Sequence, residues 1–198
     1  MFEKYNKVQQ AVLESTLNLI IDRELQATSM SLIAKDSGVS TGSIYHHFSS
    51  KEDIINELFK AIVRFNGEFV TRDIDESNPI QTQFRKAWRR VIEFNQKYPK
   101  GSRFIEQYSF SPYIYEESKR AIYEDGWCGP LKNLYKRAIE DGVFIQMEPL
   151  MMVQMHYGAI VYLLKGYQQN MLELTDDLAD QAVLACWNGV SLEKGWKQ

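Results

Sequence analysis

Apolar residues return at helical spacing through almost the whole chain. Val8, Val12, Leu13, Leu17, Ile20 and Ile21 predict a first helix over Lys7 to Arg23. A short segment, Ser29 to Asp36, turns Met30, Ile33 and Ala34 inward. Ser37-Gly38-Val39 reads as a tight turn, because glycine takes the left-handed conformation that a helix end needs. Ser40 then caps a second short helix reaching about His46. Ser50-Lys51-Glu52-Asp53 puts a serine three residues before a carboxylate, a variant of the capping box, and opens a long helix to about Arg72. Two short helices around a glycine turn, between longer ones, make a helix-turn-helix unit.

Asp73 to Pro79 is acidic, polar and closed by proline, so a boundary is placed there: residues 1–72 as one domain, residues 73–198 as another. Beyond it Ile80, Phe84, Trp88, Val91 and Ile92 form an apolar stripe, with Arg85, Lys86, Arg89 and Arg90 mostly outside it. Shorter helical stretches follow around Ser102 to Tyr108, Tyr113 to Glu124 and Leu131 to Glu140, the first two divided by Pro112. Leu150 to Tyr167 is apolar nearly all the way round, and such a helix must be covered on both sides. Asp176 and Asp177 favour the start of a last helix anchored by Val183, Leu184, Trp187 and Val190. No run has strand periodicity. The fold class is all-α: an N-terminal three-helix unit of helix-turn-helix type, and a larger C-terminal helical part.

Composition changes this picture in two places. The net charge is −3, which argues against a broad basic coat for nucleic acid, so any attraction to DNA must be local. Cys128 and Cys186 are far apart and form no CxxC pair, as expected of reduced cysteines in a cytoplasmic protein. The residues Met1 to Asn6 are polar, and the most apolar stretch, Leu150 to Leu164, is too short to span a bilayer. The chain is therefore expected in the cytoplasm and off the membrane. Adjacent His46 and His47 point in different directions on a helix and are not read as a metal site, and no cofactor is expected.

The stretch from Ala27 through Ser40-Thr41-Gly42-Ser43-Ile44-Tyr45-His46-His47-Phe48 to Asp53 closely resembles the DNA-binding signature of the TetR family, densely so over roughly Val12 to Leu58. The Ala138 to Gly142 connection before Pro149 and the apolar C-terminal helix pair are weaker echoes. The resemblance implies two-fold dimers in which each subunit lays Ser40–His46 in a major groove of double-stranded DNA carrying a two-fold operator. Ser29 and Ser40 are expected helix caps whose neighbouring N–H groups also face phosphate. Gly42 permits close approach, and Thr41 and Ser43 reach base edges or phosphates. Tyr45, His46 and Lys51 match family positions that contact the DNA backbone, while Phe48 is expected to lock the recognition helix into the core.

This sequence also departs from the family pattern. Glu24 stands where many members have glycine, Leu32 where an acidic capping partner is frequent, and Thr41 where lysine is frequent. Residues 1–72 hold eight Lys and Arg against nine Asp and Glu.

Residues 80–198 are more than DNA binding needs, and they are rich in large side chains. Trp88, Phe104, Tyr108, Trp127, Met151, Met155, His156 and Tyr162 are candidates for the lining of a cavity that takes a small hydrophobic or aromatic effector. Each is otherwise ordinary core, and His156 is either a polar fixture of that pocket or a hydrogen-bonded core histidine. Gly158, Ala159 and Gly166 allow close packing, which makes the last two helices the expected homodimer seam. No nucleophile elbow, phosphate-cradling loop or HExxH motif points to an enzyme. The competing function is a helix-turn-helix protein with no small-molecule effector, controlled by a protein partner.

Overall fold

The computed structural model describes residues 1–124 and 126–195, and among them it is helical with no strand. Ten helices follow in order: α1 Lys7–Ala27, α2 Met30–Ser37, α3 Thr41–His47, α4 Lys51–Thr71, α5 Ile80–Lys97, α6 Pro99–Tyr108, α7 Glu116–Glu124, α8 Cys128–Glu140, α9 Pro149–Gln168 and α10 Asp176–Val190. Polar residues define most of the starts. Asn6 and Gln9 form a reciprocal capping box on α1, and Ser29, Ser40, Glu148 and Thr175 each accept a backbone N–H in the first turn of their helix. At α4 the box is displaced by one residue. Ser50 Oγ accepts from Asp53 N, but the Asp53 carboxylate reaches back to Ser49 N at 2.9 Å rather than to Ser50.

α1 runs further than its apolar pattern predicts, and it is broken. Glu24 takes φ 67°, ψ 160° inside the helix. The position that glycine often fills in the family takes a positive φ here with a side chain that disfavours it.

The chain divides into two compact units, each with its own core. The first comprises residues 1–66 with the described part of 98–125. Val12, Leu13, Ile33, Ile44, Ile54, Leu58 and Phe59 are buried in it. α6 joins this core through Phe104, whose ring lies 6.4 Å from that of Phe59. Lys100 Nζ donates to Asn18 Oδ1 at 2.6 Å. The turn before α7 is held by the buried Asn56 of α4: its Nδ2 donates to the Tyr113 carbonyl at 3.1 Å and its Oδ1 accepts from Tyr115 N at 2.7 Å. This compact unit is therefore not the contiguous segment 1–72, since α6 and α7 return to it.

The second unit comprises residues 67–97 with the described part of 126–198. Its centre is aromatic. Phe84 lies within 6 Å, ring centre to ring centre, of Tyr135, Phe144, His156 and Trp187. Ion pairs rim it: Arg85 with Asp180, Arg89 with Asp176, and Arg90 with Asp73 and Glu93. α9 covers this core with Met152, Val153, His156, Ile160 and Leu164. Its opposite side, expected to be covered as well, is open within the chain: Met151, Met155 and Tyr162 are 46%, 60% and 79% exposed.

Candidate nucleic-acid interface

α2 and α3 are joined by Gly38 at φ 68°, ψ 13°, the left-handed geometry its place in the turn calls for. The two short helices then sort their residues cleanly. Ile44 and Phe48 are buried and fix α3 against the first unit's core. Thr41, Gly42, Tyr45 and His46 are exposed on the opposite face, and Ser43 is half-buried. Positions four apart share a helix face, so Thr41 lies beside Tyr45 and Gly42 beside His46. Tyr45 is 52% exposed, a large aromatic body with a hydroxyl tip left in solvent.

The caps are occupied as helix caps. Ser40 Oγ accepts from Ser43 N at 3.2 Å, and Ser29 Oγ accepts from Leu32 N at 3.2 Å. Leu32 supplies no carboxylate to complete a box, and the Ser31 hydroxyl lies 2.9 Å from Ser29 Oγ instead. Lys51, at the start of α4, points its ammonium to the Leu25 carbonyl at 3.5 Å. That carbonyl belongs to the last turn of α1, whose dipole favours a cation. Ser29, the exposed side of α3 and Lys51 all belong to one compact unit. Outside its chain neighbours and its own helix backbone, nothing within 4 Å would meet a Cβ at Gly42, so packing leaves that position free.

Among known proteins, residues 12–58 match the bacterial regulatory proteins of the tetR family, and residues 58–192 match the tetracyclin repressor-like C-terminal domain. The chain belongs to the TetR family. The repressor KstR2 of Mycobacterium tuberculosis is 38% identical over 52 residues, which are 26% of each protein. Coverage of the curated relatives matched first is about half of their length or less. A TetR family transcription regulator from Marinobacter aquaeolei VT8 superposes with a TM-score of 0.86 at 19% identity, over 96% of this chain and 99% of that one. FadR of Bacillus subtilis, solved in complex with stearoyl-CoA, superposes at 0.74 with 20% identity, over 91% and 98% of the two chains. TetR regulators bind DNA and dimerise, and among the described residues no helix is long and apolar enough to cross a membrane.

Against this TetR frame the eight residues expected around an effector separate into three groups. Trp88, Trp127 and His156 come together in the second unit, with Trp88 6.0 Å from Trp127 and 5.8 Å from His156. Phe104 and Tyr108 lie in the first unit, 5.0 Å apart, as part of the core beneath the helix-turn-helix. Met151, Met155 and Tyr162 stand on the open side of α9. The residue that ties the first group together is Tyr135. Its hydroxyl accepts from Trp88 Nε1 at 2.9 Å and lies 2.5 Å from His156 Nδ1. Periodicity places Tyr135 on the buried face of α8 but gives no sign of its two polar partners.

Burial dominates the electrostatics of this cluster. It pushes the His156 imidazole down to about 4, the Cys186 thiol up to about 11, and the Tyr135 phenol well above its ordinary value. Among the described residues no group of three or more His, Cys, Asp or Glu is arranged to hold a metal ion.

A groove of about 470 Å³ opens between α9 and α10. Its floor includes His156 and Cys186, and its walls include Met155, Ala159, Ala185 and Gly189. From Pro149 to Leu164 and from Gln181 to Leu192 there is no charged residue other than histidine.

Proposed function

We propose that this chain is a dimeric transcriptional repressor that places α3 of each subunit in successive major grooves of a two-fold operator. Thr41, Gly42, Ser43, Tyr45 and His46 meet the DNA there, with Ser29 and Lys51 holding flanking phosphates beside Ser40. The observation that carries this is the sorting of α3. Ile44 and Phe48 hold the helix from behind, and the exposed side carries a glycine, hydroxyls and one exposed tyrosine. In this reading residues 1–72 supply the DNA grip and residues 73–198 the regulation, although α6 and α7 pack with the former.

Dimerisation runs through α9 and α10. The support is the open apolar side of α9, continuous with the groove and free of acidic and basic side chains, which is more exposed apolar surface than a solvent face ordinarily carries. Two such helix pairs related by a two-fold axis make a four-helix bundle.

The effector in this reading is small and hydrophobic, and acyl-CoA thioesters are the first to try, because a protein of the same fold was solved with stearoyl-CoA. A second reading has its own support. Trp88, Trp127 and His156 pack ring against ring, which favours regulation by a protein partner over an open effector chamber. Titration of the protein on operator DNA, recovered by selection from random sequence, tests both. Release of DNA by an acyl-CoA, with a change in tryptophan fluorescence, supports the effector reading. DNA binding indifferent to every hydrophobic compound tried supports the partner reading, and failure to select any two-fold sequence overturns the operator proposal.

A further inference from the structure

Groups from α4 and α6 converge on one turn of backbone at the end of α1. At Glu24, φ 67° and ψ 160° swing the peptide between Glu24 and Leu25 out of the helical ladder. Its surroundings are dry, since Leu25 and Thr28 are both buried, so both of its polar groups need partners. The Glu24 carbonyl accepts from Thr28 Oγ1 at 2.9 Å. The Leu25 N–H is met by the hydroxyl of Tyr108, the buried last residue of α6. The next carbonyl, that of Leu25, accepts from Thr28 N at 3.3 Å and from Lys51 Nζ at 3.5 Å.

This arrangement accounts for a strained residue being kept. A side chain at positive φ persists where its surroundings over-determine it, and such strain gathers at functional positions. Here Tyr108 and Thr28 hold the turned peptide from its two sides, and the turn presents the Leu25 carbonyl to Lys51. An ammonium has three donors. With one on Leu25, the half-buried Lys51 is anchored at its tip and keeps two for a phosphate. A lysine held this way has already lost much of the rotamer freedom that binding would otherwise cost. Tyr108 lies outside residues 12–58, the part that matches the family's regulatory-protein model, so nothing in that motif reveals the contact.

We propose that Tyr108 is a positioning residue for operator binding: with Thr28 it fixes the turned peptide, and through the Leu25 carbonyl it holds Lys51 ready for a phosphate. This rests on the reading of Lys51 as a phosphate contact. The Tyr108 hydroxyl then serves the DNA grip rather than an effector.

Tyr108→Phe and Thr28→Val each keep the shape of the side chain and remove its hydroxyl. The full chain is titrated on the selected operator at a temperature where circular dichroism shows each variant folded. Both should bind about fivefold or more weakly than the wild type, as should Lys51→Met. A lower melting temperature would follow from any lost bond, so two other readouts decide. The salt slope should become shallower than about −2 per dimer in all three variants, because the same cation is lost or misplaced. Neither hydroxyl substitution should weaken Lys51→Met further, as expected when the changes remove one contact. If Tyr108→Phe does not fold, Thr28→Val decides alone. Wild-type affinity and slope in a folded hydroxyl variant, or a loss that adds fully to that of Lys51→Met, overturns the proposal while leaving Lys51 a phosphate contact. Wild-type operator binding by Lys51→Met overturns the reading of Lys51, and this proposal with it.

Discussion

Trp88 and Tyr135 lie on α5 and α8, and the indole Nε1 of the first donates to the hydroxyl of the second at 2.9 Å with both side chains fully buried. The same hydroxyl serves His156 on α9, so one oxygen joins three helices of the second unit. Replacing Tyr135 by phenylalanine keeps the ring contacts with Phe84 and Phe144 but strands an indole N–H and an imidazole nitrogen. The expected loss is about 2–4 kcal/mol of unfolding free energy, read from urea denaturation. A loss under about 0.5 kcal/mol would show that the bonds contribute little.

Protonation of His156 opposes folding. Its folded value of about 4 lies below the ordinary 6.5, and burial is the cause. The unfolded chain therefore binds the extra proton first as pH falls. The stability that the neutral ring retains is complete above about pH 6.5 and is lost progressively toward pH 4. The contribution is on the order of 3 kcal/mol. The difference in unfolding free energy between wild type and His156→Phe should shrink across that window. If it is constant from pH 7 to pH 4.5, the imidazole is not held neutral by its surroundings.

Glu24 is a position where a glycine should help. Its φ of 67° with ψ 160° is a region that side chains strongly disfavour. Glu24→Gly should raise stability by roughly 1 kcal/mol, part of the relief being offset by the greater freedom of glycine in the unfolded chain. Glu24→Ala keeps the strain and should give no such gain. Equal melting temperatures for the glycine and alanine variants would contradict this.

The expected DNA contacts contain a single lysine and no arginine. With Lys51 as the cation of each subunit, the logarithm of operator affinity should fall with the logarithm of salt at a slope of about −2 per dimer. A slope of −6 or steeper would mean that other basic residues carry the binding.

Much of this fold is legible along the chain, because helix starts are local events. Asn6, Ser29, Ser40 and Thr175 each cap within four residues of where the apolar period begins. The exposed face of α3 is legible for the same reason, since Ile44 and Phe48 fix which side turns inward. What does not follow from local pattern is which apolar face meets which. Phe104 and Tyr108 read like the other large side chains of residues 80–198, yet they complete the first unit's core, where Phe59 receives them. Asn56 reads as a polar interruption of α4. Only the returning turn at Tyr113–Tyr115 gives it a purpose. Nor does the apolar circumference of α9 say that Met151, Met155 and Tyr162 stay exposed within the chain.

The most direct test of DNA recognition by α3 is Gly42→Leu, measured for both melting temperature and operator affinity. Outside its chain neighbours and the backbone of its own helix, no atom of the described residues lies within 4 Å of the added Cβ, and leucine favours a helix more than glycine does, so the fold should be as stable as before or more so. The side chain would stand where the DNA must approach. A hundredfold or greater loss of operator affinity with an undiminished melting temperature is the predicted result, and a variant that binds the operator as tightly as the wild type would contradict it.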